Sequence, residues 1–114
     1  MSRASTIAHA RLRDAAPLFA ALGDETRLRL LVRLSSGSPG SITQLSAESP
    51  VTRQAITKHL EVLAEAGLVR SRRRGRERIW ELEPKRLADA REHLERISLQ
   101  WDAALDRLTR YVKG

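Results

Sequence analysis

Two groups of side chains in this chain have the types and spacing to grip a polyanion. The first is Arg53, Gln54, Thr57 and Lys58, which recur on one polar side of a short periodic segment. Arginine can donate a two-pronged hydrogen bond to guanine, and glutamine can pair both ways with adenine. The second is the window Arg70 to Arg78, which holds six arginines and one acid. Within it Arg72, Arg73, Arg74, Arg76 and Arg78 surround Gly75. The 114 residues carry a formal charge of +7 with a pI of about 11.2, which favours phosphate-rich partners through counterion release. Ser41 and Thr43 open a further helix, where free N–H groups can bind phosphate, although Ser41 can equally serve only as a cap.

Other chemistry is poorly supplied. There is no cysteine, which excludes disulfides, thiolate metal sites and thiol nucleophiles. His9, His59 and His93 lie in separate segments, and no glycine-rich phosphate loop or His-Glu-x-x-His occurs. We therefore expect no enzyme and no cofactor. His59 borders an apolar face and is expected to pack or bond at the core edge. Asp89 and His93 stand four apart, the spacing of a surface helical pair. The sharper alternative is half of a metal site completed across a dimer by Glu92 or His9.

Positioning these groups requires a particular order of elements. The length suits one domain with a modest core, built mainly from aliphatic side chains because aromatics make up only 4%. No run approaches a membrane span and no secretory leader is seen, so a cytoplasmic protein is expected. A first helix is read over His9 to Leu22, with Leu12, Ala15, Ala16, Phe19 and Leu22 on one face. Pro17 marks either its true start or a kink. Asp24 caps a second helix through about Leu34, with Leu28, Leu31 and Val32 inward. Ser35 to Gly40 is a loop. Ser41 with Gln44 makes a capping box for a short third helix ending near Glu48. Thr52 caps a fourth, on which Ile56, Leu60 and Leu63 share the inner face, and Gly67 stops it. Strands over 68–72 and 78–82 are joined through Arg73-Arg74-Gly75-Arg76, and Pro84 opens a last helix.

That last helix, about Lys85 to Val112, carries Leu87, Leu94, Trp101 and Leu108 every seven residues. Ala90, Ile97, Ala104 and Tyr111 follow three positions on. Such a seam of ~28 residues is ~42 Å long, longer than a small domain covers by itself. These eight residues are the expected dimer interface. A tryptophan at 101 reads as an anchor of that seam or as one wall of an inducer pocket.

The expected fold is thus mainly α with a small β-hairpin, α-α-α-α-β-β-α. It is a single winged helix-turn-helix domain over 1–114, with the helix-turn-helix at 41–66, the wing at 68–82 and the dimerisation helix at 84–112. The chain resembles the ArsR (arsenical-resistance repressor-like) regulators over roughly Pro17 to Tyr111. The resemblance is carried by Phe19 to Leu31, by Arg53-Gln54-Ala55-Ile56-Thr57-Lys58-His59-Leu60, by Ala66-Gly67-Leu68-Val69, and by Arg74-Gly75-Arg76-Glu77 with Trp80-Glu81-Leu82. It implies a homodimeric transcription repressor that leaves its operator on a signal. The family's metal-sensing cysteine pair is absent, and its last-helix site of one Asp, two His and one Glu cannot be completed after His93. Trp101-Asp102 and Leu105-Asp106-Arg107-Leu108 look like a cysteine-less branch. The expected partners are a double-stranded DNA operator and a second copy, with no membrane. The alternatives are a sequence-tolerant nucleic-acid binder, or an adaptor that docks proteins on the long helix.

Overall fold

The computed structural model describes residues 3–113, and side chains from Leu12 onward. The order is α1 (Arg3–Leu22), α2 (Glu25–Ser36), β1 (Gly40–Ser41), α3 (Ile42–Ala47), α4 (Arg53–Glu65), β2 (Val69–Arg74), β3 (Glu77–Leu82) and α5 (Pro84–Lys113). The sheet is antiparallel with strand order β1-β3-β2. It therefore has one more strand than the sequence suggests. Gly40 pairs with Trp80 and Ser41 with Ile79, so the end of the expected loop is a strand.

α1 begins earlier than expected and runs through Pro17, forgoing one backbone bond at that point. Its inner face is Ala15, Leu18 and Ala21, whereas Leu12 is exposed. α2 is capped by Asp24, whose Oδ2 accepts from the Arg27 backbone N–H at 3.0 Å. Its inward face corrects the expectation. Leu30, Leu31 and Leu34 are buried, while Leu28 and Val32 are exposed. α2 packs on both α4 and β3, which selects this face over the neighbouring one.

Caps set the short helices. The Ser41 side chain accepts from the Gln44 N–H at 3.2 Å while the Ser41 N–H donates to the Gln44 side chain at 2.9 Å. Thr52 Oγ1 accepts from the Ala55 N–H at 3.2 Å. α4 then buries Ile56, Leu60 and Leu63 completely, each contributing roughly 2 kcal/mol by area removed from water. Its end is closed by paired bonds, Leu68 N–H to Leu63 O at 2.9 Å and Gly67 N–H to Ala64 O at 3.0 Å. Gly67 has φ 77°, the left-handed conformation this closure needs. Leu68 and Leu63 are both fully buried beside it.

The hairpin pairs Val69 with Leu82 and, at its far end, Arg74 with Glu77. Only Gly75 and Arg76 form the turn, with Gly75 at φ 64°. A glycine of positive φ at the first central position is the two-residue solution that keeps the strands' twist. The strands are accordingly longer at the tip than the sequence indicates.

α5 is a rod of 30 residues. Its first turns lie on α1, with Ala90 buried and Leu87 packed against the core. Beyond them the helix projects. The radius of gyration is 18.7 Å and the long dimension 66 Å, against roughly 13 Å of gyration for a compact chain this long.

Candidate nucleic-acid interface

The polar face of α4 is presented outward because its inner face is wholly apolar. Arg53, Gln54 and Lys58 are exposed. Thr57 is half-buried, and its hydroxyl donates to the Arg53 carbonyl at 2.9 Å. It therefore offers a groove acceptor capacity rather than a free donor. Ser41 does not join this surface. It is 4% exposed, and both its N–H and its side-chain oxygen are taken by Gln44. The capping role displaces the phosphate role expected for it, whereas Thr43 is exposed and available.

The hairpin register sorts the arginines by face, since residues directly opposite point the same way. Arg72 lies opposite Ile79, and Arg74 opposite Glu77. On this side Arg72 and Arg74 border a concave surface shared with Ser38, Gln44 and Ile79, beside the start of α3. Arg73 and Arg78 are partners on the other side, and Arg76 is in the turn. All five are exposed. Arg70 is held separately by Glu81 at 2.9 Å and Glu83 at 2.7 Å, and these carboxylates raise its pKa. Glu81 also lies 3.8 Å from Arg72. The arginines nearer the tip thus have the fewest internal partners. A like-charged pair such as Arg73 and Arg78 costs a folded hairpin on the order of 0.5 kcal/mol.

Two arginines outside the interface brace it, and the sequence pattern gave neither a role. Arg33 of α2 bonds Glu48 at the end of α3 at 2.6 Å and the Ser38 carbonyl at 2.8 Å. Arg27 reaches the Ala21 and Ala20 carbonyls at 2.7 and 3.3 Å. A third, Arg86, bonds Asp14 at 3.0 Å and Asp89 at 3.1 Å, fixing α5 to α1.

Within the protomer that last contact engages one of the two weak metal candidates. Asp89 faces the Arg86 guanidinium, and the His93 ring stands edge-on to Phe19 with centroids 6.3 Å apart. Among the described residues no three histidine or carboxylate side chains come together as metal ligands. The His9 side chain lies outside the described residues.

The stripe on α5 divides into two parts. Ala90 is spent on the protomer's own core, and Leu87 is half-buried against it, which corrects their place in the expected seam. From Leu94 onward the stripe is uncovered: Leu94 is 54% exposed, Ile97 56%, Trp101 66%, Leu108 59% and Tyr111 85%. Ala104 is half-exposed among them. Leu105 and Val112 extend the same stripe.

A tri-helical core with a capped helix pair, an outward helix whose first half is basic and an arginine-tipped hairpin defines a winged helix-turn-helix transcriptional regulator. Comparison with known proteins bears this out. Residues 22–72 match the family model described as a helix-turn-helix domain. The HTH-type transcriptional regulator Rv2034 of Mycobacterium tuberculosis is 40% identical over 85 residues, covering 75% of this chain and 76% of that protein. The structure of an ArsR-like transcriptional regulator from Rhodococcus sp. RHA1 is 38% identical with a TM-score of 0.74, over 87% of this chain and 92% of that one. A Mycobacterium bovis structure described as a homodimeric winged helix-turn-helix DNA-binding domain shares the fold at 19% identity, with a TM-score of 0.65 and 86% of each chain covered. The chain belongs to the ArsR family of transcriptional regulators, a family of DNA-binding proteins rather than enzymes. Among the described residues no helix is long and apolar enough to cross a membrane.

Proposed function

We propose that the protein is a homodimeric repressor that binds a palindromic operator and leaves it on a signal, acting in the cytoplasm. α4 enters the major groove, where Arg53, Gln54, Thr57 and Lys58 meet base edges. Arg72, Arg73, Arg74, Arg76 and Arg78 divide between the two faces of the hairpin and cannot all touch one duplex, so the tip residues Arg73, Arg74 and Arg76 hold the flanking backbone, and Thr43 a phosphate near the start of α3. The observation that carries this reading is the sidedness of α4. One face is fully buried as Ile56, Leu60 and Leu63, leaving the other as an outward polar row beside an exposed arginine hairpin whose tip holds Arg73, Arg74 and Arg76 with Glu77 as the one acid opposite Arg74.

The dimer is supported by the uncovered half of α5. The stripe from Leu94 to Val112 leaves Leu94, Ile97, Trp101, Leu108, Tyr111 and Val112 all more than half exposed, an apolar face of the kind that marks an interaction site, and seven-residue recurrence suits packing against a like helix. A second copy across this stripe sets two α4 helices apart for successive turns of the duplex.

Fluorescence anisotropy tests the reading, using duplex from immediately upstream of the protein's own gene and a scrambled duplex of equal length. A repressor prefers its site by about 10³-fold or more. Equal affinity for both duplexes identifies a sequence-tolerant binder. A monomer by light scattering with negligible duplex affinity identifies an adaptor.

A further inference from the structure

A single nitrogen on α4 faces two neighbours that make opposite demands on it. His59 Nδ1 lies 3.3 Å from an Arg27 Nη1 and 3.7 Å from Asp24 Oδ2. A guanidinium has only donors, so it bonds Nδ1 only when that atom keeps its lone pair and the ring proton sits on Nε2. A carboxylate bonds Nδ1 only when it carries a proton. The neutral ring therefore suits Arg27, and the charged ring suits Asp24 and is repelled by Arg27.

The same guanidinium is anchored elsewhere. Its Nε donates to the Ala21 carbonyl at 2.7 Å and its Nη2 to the Ala20 carbonyl at 3.3 Å. These carbonyls belong to the last turn of α1, which has no basic residue of its own there; the Ala20 carbonyl also accepts the Gly23 N–H at 3.2 Å, and carbonyls at such an end lack intrahelical partners. Arg27 thus closes the end of α1, belongs to the first turn of α2, and touches α4 through His59. Since α1 also packs on α5, the chain of contacts runs from the proposed dimer layer to the reading helix. Among the described residues the charged groups facing the ring are Asp24, the cap of α2, and Arg27 of its first turn. α1 contributes carbonyls held through Arg27, and the α4 residues one turn away, Ala55, Ile56, Val62 and Leu63, carry no charge.

We propose that Arg27 and His59 are positioning residues that fix the seating of α4 on the α1–α2 scaffold, and that protonation of the His59 ring releases this seating and weakens operator binding. The proposal rests on the reading of α4 as the groove-entering helix. On protonation the Nδ1 lone pair is lost and the Arg27 bond with it. The ring then competes for Asp24 Oδ2, which already accepts from the Arg27 N–H as the cap of α2.

The test is operator affinity by anisotropy between pH 8 and pH 6, at constant ionic strength, with the upstream duplex as probe. Wild type, His59→Gln, His93→Gln and Arg27→Lys are compared, with thermal unfolding as a check on folding. Glutamine keeps an uncharged acceptor for Arg27 at every pH. From pH 8 to pH 6 the wild-type affinity is expected to fall about fivefold or more relative to His59→Gln, with His93→Gln following wild type. Arg27→Lys, whose single ammonium cannot serve both carbonyls and the ring, is expected to bind more weakly at pH 8 and to show a flattened profile. Parallel profiles for wild type and His59→Gln overturn the joint, as does a wild-type advantage that grows toward pH 6. Ring ¹⁵N shifts give an independent readout: the Nε2–H tautomer is expected at pH 8, and the Nδ1–H tautomer overturns the proposal. If Arg53→Ala and Lys58→Ala leave affinity for the duplex unchanged, the reading of α4 fails and the joint falls with it. Losses in those variants alongside parallel His59 profiles refute the joint alone.

Discussion

Gly67 sits so close to Arg86 that a β-carbon at position 67 would stand 2.8 Å from the Arg86 Cγ. Arg86 has little freedom to yield, because Asp14 and Asp89 both hold its guanidinium. The glycine also has φ 77°, which costs an alanine roughly 1–2 kcal/mol. Gly67→Ala is expected to lose about 2 kcal/mol or more in urea unfolding. Gly67→Ala with Arg86→Ala is expected to lose less than the sum of the two single changes, since the clash is removed. Strict additivity would show that crowding plays no part.

Leu94→Asp and Trp101→Asp are each expected to shift the monomer–dimer equilibrium toward monomer at least tenfold, and to weaken operator binding in parallel. Light scattering across a dilution series reads the first effect and anisotropy the second. A full dimer in either variant counts against the seam. The two tryptophans also differ usefully, with Trp80 3% and Trp101 66% exposed in the protomer. In a Trp80→Phe background the remaining emission is expected to move to the blue as concentration rises.

Base reading and backbone grip are expected to separate by mutation. Gln54→Ala should relax preference at one base pair by about 1–3 kcal/mol and leave affinity for scrambled duplex nearly unchanged. Arg74→Ala should weaken all duplexes alike and reduce the salt slope by about one. Measuring both variants on matched and scrambled duplexes at several salt concentrations decides it, and identical loss profiles would refute the division of labour.

Asp24 has its pKa lowered, chiefly because its carboxylate accepts the Arg27 backbone N–H, with His59 and the Arg27 charge adding to the effect. The sign follows from linkage. A group with a lower pKa folded than unfolded stabilises the fold above its unfolded value, and that contribution is lost as pH falls through the folded one. Asp24→Asn keeps a capping side chain but no charge. Wild type is expected to be the more stable above about pH 4, and the two should converge as the pH is lowered further, as read by urea unfolding at stepped pH. A constant gap at every pH would mean that the charge contributes nothing.

The capping box of Ser41 and Gln44 was legible because both partners are three residues apart and need no knowledge of the rest of the chain. The same holds for Gly67 and for the heptad recurrence of α5. β1 was illegible because two residues make no pattern, and its partners Ile79 and Trp80 lie far along the sequence. The face of α2 was misread because Leu28, Leu30, Leu31, Val32 and Leu34 offer two overlapping apolar faces, and only packing on α4 and β3 chooses between them. The point on α5 where the stripe leaves its own core, between Ala90 and Leu94, depends on where α1 ends beside it. Arg27, Arg33 and Arg86 look like any surface arginine until their distant acceptors are placed. The same dependence separates Ser41 from Thr43. Both stand at the start of α3, and only the third strand shows which of them faces inward.

Ser41 belongs to two elements at once, standing opposite Ile79 in the strand register and acting as the cap of α3. The hairpin's sheet and the proposed reading head consequently share one buried residue and are expected to approach a double helix together. Any bend in the duplex that both are to follow has to be made by the nucleic acid.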